Sequence, residues 1–202
     1  MSDRIAFVGD IHGNLPALRG IWKSVLSLGP KRVVFLGDYI NKGTQSAPVM
    51  QELVEYKSNG LVTLLRGNHE MEFLNALESG DLRAFLKMGG AMSIRSYIGH
   101  KVGPDVASDL RASVPSQHLD ALRQMPDVFE ANDIVAQHLP IQVTTNKFAV
   151  SAHARVGRLP IITKRTAEID TGCGSKDGRL TALMWPSLRF MQVDTKGRVV
   201  QD

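Results

Sequence analysis

The sequence predicts an α/β fold in which two packed mixed β-sheets are flanked by helices. Its 202 residues suffice to build this as a single domain, 1–202. Three observations lead there. The first 70 residues alternate apolar strands with amphipathic helices in a βαβαβ rhythm, which makes a mostly parallel sheet with helices on its faces. Met71–Met125 reads as irregular helix. From Asp127 the pattern turns to short strands, enough for a second sheet.

Arg4–Val8 is the first strand, and Gly9-Asp10-Ile11-His12-Gly13-Asn14 is the loop after it. A helix over Leu15–Leu28 follows, capped by Asn14, with Leu15, Leu18, Trp22, Val25 and Leu26 on one face and Gly29-Pro30 as its stop. Val33–Leu36 is the second strand, leading into Gly37–Gly43. A second helix, Ser46–Tyr56, ends near Asn59-Gly60, and the third strand, Leu61–Leu65, runs into Arg66-Gly67-Asn68-His69-Glu70. Later strands are expected at Asp127–Glu130, Ile134–Gln137, Phe148–Ser151, Ala167–Ile169, Leu180–Trp185 and Phe190–Val193. Asp194-Thr195-Lys196-Gly197 reads as a hairpin turn.

Three times in the first half, a buried strand ends in glycine followed by a metal-competent side chain: Gly9-Asp10-x-His12, Gly37-Asp38 and Gly67-Asn68-His69. Sites in open α/β sheets gather outside the carboxyl ends of the strands, where all three loops lie. Asp10 and His12 are two residues apart, so an extended strand exit points both the same way. One such loop is an ordinary turn. Three in succession imply a site.

Composition narrows the partners. One cysteine, Cys173, excludes a disulfide framework and a cysteine-rich zinc cluster. No apolar stretch approaches the ~20 residues of a membrane span, and Met1–Arg4 runs into the first strand without a secretory pattern, so a cytoplasmic location without membrane binding is expected. A net charge of +4 from scattered Lys and Arg favours phosphorylated substrates but no specific nucleic-acid binding. His100 and His118 read as solvent-facing, Cys173 as a small buried residue, and the methionines as core filler. Trp22 reads as core, Trp185 as either core or surface, and Asp170 as either a support to the site or a turn cap.

The loops resemble the motifs of the calcineurin-like metallophosphoesterases, most closely their serine/threonine phosphoprotein phosphatase branch. Gly9–Gly13 reads GDIHG, Gly37–Gly43 reads GDYINKG against the family's GDxxDRG, and Gly67–Glu70 reads GNHE. The strand into His138 resembles the approach to the family's HAG histidine, and Phe148–His153 the approach to its GHT histidine. Ile169-Asp170-Thr171-Gly172 with Gly178–Leu183 resembles the closing IDTG…LTAL segment. An alternative register makes His153 the HAG residue and leaves the other histidine absent.

The resemblance implies a metallophosphoesterase sandwich holding two divalent ions, Mn first, with Fe or Zn as options. Asp10, His12 and Asp38 would hold one ion. Asp38 would bridge to the second, completed by Asn68, His138 and His153. Hydroxide activated between the ions would attack the phosphate of a phosphoprotein or small phosphoester. His69 would protonate the leaving oxygen, with Asn41 beside it, and Arg66 and Lys42 would bind the phosphate. Asn41 stands where the family has a carboxylate, and Lys42 where it has an arginine. The implied function is phosphate monoester hydrolysis of the serine/threonine phosphatase kind. Hydrolysis of dinucleoside polyphosphates such as diadenosine tetraphosphate, or a non-catalytic scaffold, are the alternatives.

Overall fold

The computed structural model describes residues 4–99, 103–141 and 146–200. His100 lies outside the described residues. Strands β1 (Ile5–Val8), β2 (Arg32–Phe35) and β3 (Val62–Leu64) alternate with helices α1 (Leu15–Leu26) and α2 (Ser46–Ser58). Five helices follow: α3 (Asn68–Ser79), α4 (Arg83–Lys87), α5 (Ala91–Ile98), α6 (Val106–Ser113) and α7 (Ser116–Arg123). The rest is strand: β4 (Val128–Glu130), β5 (Ile134–Gln137), β6 (Phe148–Ser151), β7 (Ile161–Ile162), β8 (Thr166–Glu168), β9 (Arg179–Trp185), β10 (Arg189–Asp194) and β11 (Val199–Val200).

Both sheets are mixed, as expected. The six-stranded sheet has the order β11-β10-β9-β1-β2-β3, with β1, β2 and β3 parallel and β9 antiparallel to β1. The five-stranded sheet has the order β4-β5-β6-β8-β7, parallel at its centre and antiparallel at both edges. β1 is apolar throughout because both its faces are covered. Successive side chains alternate across it: Ile5 and Phe7 meet Ile134, Phe148, Val150 and Ile169 between the sheets. Ala6 and Val8 join the layer of α1 and α2 on the other side.

Several expectations change on contact with the packing. Asn14 does cap α1, its Oδ1 accepting from Ala17 N at 3.0 Å, but the helix ends at Leu26 rather than Leu28. Leu26 is exposed and Ile21 takes its place on the buried face. Trp22 is half-buried and stacks on Tyr56 at 4.2 Å, tying α1 to α2. Trp185 is also half-buried, tilted against Phe148 in the layer between the sheets. Met71 is exposed, so the methionines are not uniformly core. His118 is buried, not solvent-facing: it shares a face of α7 with Ala121 and Leu122, at helical spacing, and lies between Gln51 Oε1 at 3.0 Å and Tyr97 Oη at 3.2 Å. β7 and β11 are edge strands of two residues each, too short to leave an alternation in the sequence.

Candidate metal centre

The carboxyl ends of β1, β2 and β3 come together because their loops are bonded to one another. Ile11 N and His12 N both donate to Asp38 O, at 3.0 and 2.9 Å, and Gly13 N donates to Tyr39 O at 2.7 Å. Tyr39 Oη donates to Leu65 O at 2.6 Å, linking the ends of β2 and β3. A Cβ at Gly67 would collide with Asp38 itself, so glycine is required for α3 to begin this close to the second loop.

His12, Asp38, Asn41, Lys42 and His153 all have positive φ, between 49° and 70°. Leu188 is the other such non-glycine among the described residues, so left-handed backbone gathers at this site. His12 therefore converges with Asp10 through a tight turn, not through the extended geometry expected. Its Nε2 lies 3.5 Å from Asp10 Oδ2 and 3.8 Å from Asp38 Oδ2.

Two imidazoles are aimed by main-chain carbonyls. His12 Nδ1 lies 3.1 Å from Ile40 O, and His138 Nδ1 lies 3.1 Å from Leu36 O. Each Nδ1–H donates to its carbonyl, which turns the Nε2 lone pair of each ring into the cluster, the arrangement that orients metal-ligating histidines. His138 Nε2 lies 2.9 Å from Asn68 Oδ1, 3.0 Å from His153 Nδ1 and 3.3 Å from Asp38 Oδ1. His153 Nδ1 is 3.0 Å from the same Asn68 oxygen. Lone-pair atoms crowded this closely repel unless a cation or proton lies among them. The carboxylate oxygen Asp10 Oδ2 is buried without a hydrogen-bond partner. This donor set of carboxylates, imidazoles and an amide oxygen fits divalent cations.

The electrostatics agree. Burial disfavours the charged form of His138, but Asp38, then Asp10 and Glu70, outweigh it and raise its pKa to about 9. Burial likewise opposes charge on Asp38, yet His138, His69 and His12 hold it well below the usual carboxylate range. Lys42 Nζ lies 2.6 Å from His12 Nε2.

His69, the second residue of α3, differs from the other rings. Its Nδ1 is 2.6 Å from Asn41 Nδ2, while Asn41 Oδ1 accepts from Ser93 Oγ at 2.6 Å. With the amide oxygen engaged by Ser93, Asn41 donates and His69 Nδ1 accepts. The ring is then neutral, with its proton on Nε2, 3.6 Å from Asp38 Oδ2. Burial, aided by His12 and Lys42, lowers the His69 pKa to about 4.

Arg66 is partly committed elsewhere. Its Nη2 donates to Met125 O at 2.8 Å and Arg123 O at 3.3 Å, and its Nη1 lies 3.6 Å from Asp127. Asp170 caps a turn, its Oδ1 accepting from Gly172 N at 2.8 Å, and it feels the charge of Asp10 after burial itself. Cys173 is buried with its thiol on Ile11 O at 3.3 Å, and burial pushes the thiol up to about 12, so it is inert.

Sequence reasoning missed Glu70, whose carboxylate accepts from Asp38 N, Tyr39 N and Gly67 N at 2.8, 2.9 and 3.1 Å. A glutamate three residues after the residue preceding a helix is a legible capping signal. It also missed Ser93, which is 52 residues from Asn41 and carries no local signal.

The family model for calcineurin-like phosphoesterases matches residues 3–179. The chain belongs to that family. Among individual relatives, it is 37% identical over 68 residues to the serine/threonine-protein phosphatase 4 catalytic subunit of Candida glabrata, covering 33% of this chain and 22% of the relative. It is 36% identical over 85 residues to serine/threonine-protein phosphatase 2 of Escherichia coli, covering 41% and 37%. The matches thus span well under half the length of either phosphatase. A crystal structure of a candidate diadenosine tetraphosphatase shares the fold over 96% of this chain and 94% of its own, with TM-score 0.68 and 20% identity. In this calcineurin-like phosphoesterase the three glycine-ended loops meet His138 and His153 in one cluster, while Asn41 and Lys42 are part of its wall.

Proposed function

We propose that the protein is a metal-dependent phosphoesterase that hydrolyses phosphate monoesters, of the serine/threonine phosphatase kind. The observation that carries this reading is the pair of carbonyl-aimed imidazoles, His12 and His138, turned onto Asp38 beside Asn68 and His153. Asp10, His12 and Asp38 would hold one divalent ion, and Asp38, Asn68, His138 and His153 a second, with Mn favoured by the donor set and Fe or Zn as substitutes. Bound there, two such ions supply Lewis acidity toward phosphoryl oxygens and make water more acidic.

The chain's own groups do the rest. His69 turns its Nε2–H, on the nitrogen that faces Asp38, toward a departing ester oxygen: the neutral ring hydrogen-bonds that oxygen, and only the protonated ring would give it a proton. Asn41 holds that tautomer, and Ser93 holds Asn41. Lys42 brings positive charge for the phosphate. A second reading, dinucleoside polyphosphate hydrolysis, is favoured by the neutral Asn41–His69 pair, since a phosphoanhydride leaving group needs little proton assistance.

The test is elemental analysis of the Mn²⁺-treated protein, with hydrolysis of p-nitrophenyl phosphate, a phosphoserine peptide and diadenosine tetraphosphate with and without chelator. About two metal ions per chain and chelator-sensitive turnover are expected. No metal uptake and no turnover would leave a non-catalytic scaffold.

A further inference from the structure

A cavity of about 520 Å³ opens at the starts of β1, β2 and β5, the ends of those strands that lie away from the metal centre. β1 runs from Ile5 in the cavity toward Asp10, β2 from Arg32 toward Asp38, and β5 from Ile134 toward His138. A strand advances about 3.3 Å per residue, so on the order of 15 Å of chain separates Ile5 from Asp10. A molecule held in the cavity does not touch the reacting groups. The volume is that of a small-molecule site, and it is more than three times the roughly 150 Å³ that holds a benzene.

Its walls combine aromatic rings with unequal charge. Phe129 and Trp185, both half-buried, line it together with the buried Ile5 and Ile134. Each ring is fixed by a neighbour, Phe129 edge-on to Phe7 at 6.0 Å and Trp185 tilted on Phe148 at 5.2 Å. The Arg32 guanidinium lies over the Phe129 ring, 6.0 Å from its centroid, and Lys31 adjoins it. Of the two carboxylates in the lining, Glu130 is matched by Lys147 at 2.7 Å, so the positive side chains outnumber the remaining carboxylate, Asp133.

We propose that this cavity is a second binding site, separate from the metal centre, and that it takes a nucleoside monophosphate. A planar base stacks on Trp185 and Phe129, since every base offers a π-face to an aromatic side chain. The phosphate meets Arg32, whose planar fork matches phosphate oxygens, with Lys31 beside it as a point charge. Asp133 and Asn132, both exposed in the lining, supply acceptors for the ribose hydroxyls. The other ligand classes use only part of this wall. A neutral aromatic molecule leaves the cations unmatched, and an inorganic anion leaves the two rings bare.

The experiment is calorimetric titration of the wild-type protein with the phosphonate analogue of adenosine monophosphate, whose P–C bond resists hydrolysis. Binding with a Kd below about 1 mM that persists in the presence of chelator is expected. Under the same conditions adenosine, which lacks the anion, and methylphosphonate, which lacks the base, are each expected to bind at least about 10-fold more weakly. Arg32→Gln, at an exposed position, is expected to weaken the analogue by about 10-fold and to leave adenosine unchanged. Absence of analogue binding overturns the site, as does binding that chelator abolishes, which would place the analogue on the metal centre. Equal affinities for the analogue and adenosine, or an Arg32→Gln protein that binds the analogue as the wild type does, overturn it as well. The wild-type titrations decide without the variant, and none of these outcomes alters the reading of the metal centre.

Discussion

Asp38 and Asp10 look alike in sequence, each following a glycine at a strand end, but their surroundings differ. Asp38 lies within 3.8 Å of His12, His69 and His138, whereas Asp10 faces His12 and, at 4.0 Å, His138. Asp38→Asn is therefore expected to reduce bound metal at both positions, and Asp10→Asn chiefly at one. Elemental analysis of the two variants checks this, and equal losses would contradict a bridging Asp38. Asn41 gives the second expectation at this scale. Aspartate tolerates the left-handed backbone at this position, and its second oxygen can still accept from Ser93. A carboxylate there would accept a hydrogen bond from Nδ1–H and favour the charged, more acidic ring. Asn41→Asp is expected to raise turnover on phosphoserine peptides by about tenfold or more relative to p-nitrophenyl phosphate. Parallel rates on the two substrates measure it, and equal changes would mean that His69 is not the acid.

The loops at the strand ends behave as one element because Glu70 binds four of their N–H groups from the start of α3. That bonding offsets the left-handed backbone at Asp38, where a non-glycine residue is costly. Glu70→Gln replaces one acceptor oxygen by a donor facing N–H groups, so a loss of about 2–3 kcal/mol in unfolding free energy is expected, read by urea denaturation. A second element-scale expectation concerns the join between α7 and α2. Burial lowers the His118 pKa below its ordinary value of 6.5. Above pH 6.5 both folded and unfolded forms are neutral there. As pH falls below 6.5 the unfolded chain takes up a proton that the folded one refuses, so stability is lost on acidification. His118→Gln, which keeps a partner for Gln51, is expected to flatten that acid loss by up to about 1.4 kcal/mol per pH unit. Urea midpoints of both proteins between pH 7.5 and 5.5 decide it.

At the scale of the molecule, strands of both sheets were legible where apolar residues run together, as in β1, β2, β6 and β9. The three loops were legible because glycine and a ligand side chain adjoin in sequence. The contacts that complete the site were not. Ser93 reaches Asn41 across 52 residues, and the carbonyls of Leu36 and Ile40 have no side-chain signature at all. His118 was misjudged because its partners, Gln51 and Tyr97, lie on two other helices.

The two tryptophans lie on opposite sides of the six-stranded sheet, Trp22 against the helices and Trp185 between the sheets. They therefore make a pair of optical reporters, one for each apolar layer. β1 feeds Ala6 and Val8 to one layer and Ile5 and Phe7 to the other, so neither layer can come apart without loosening the strand they share. Single-tryptophan proteins, Trp22→Phe and Trp185→Phe, are expected to show emission changes at the same denaturant concentration as circular dichroism within each protein. Separate midpoints for fluorescence and circular dichroism would mean that the layers melt apart. In that event the emission colour would tell which side of the sheet lets in water first.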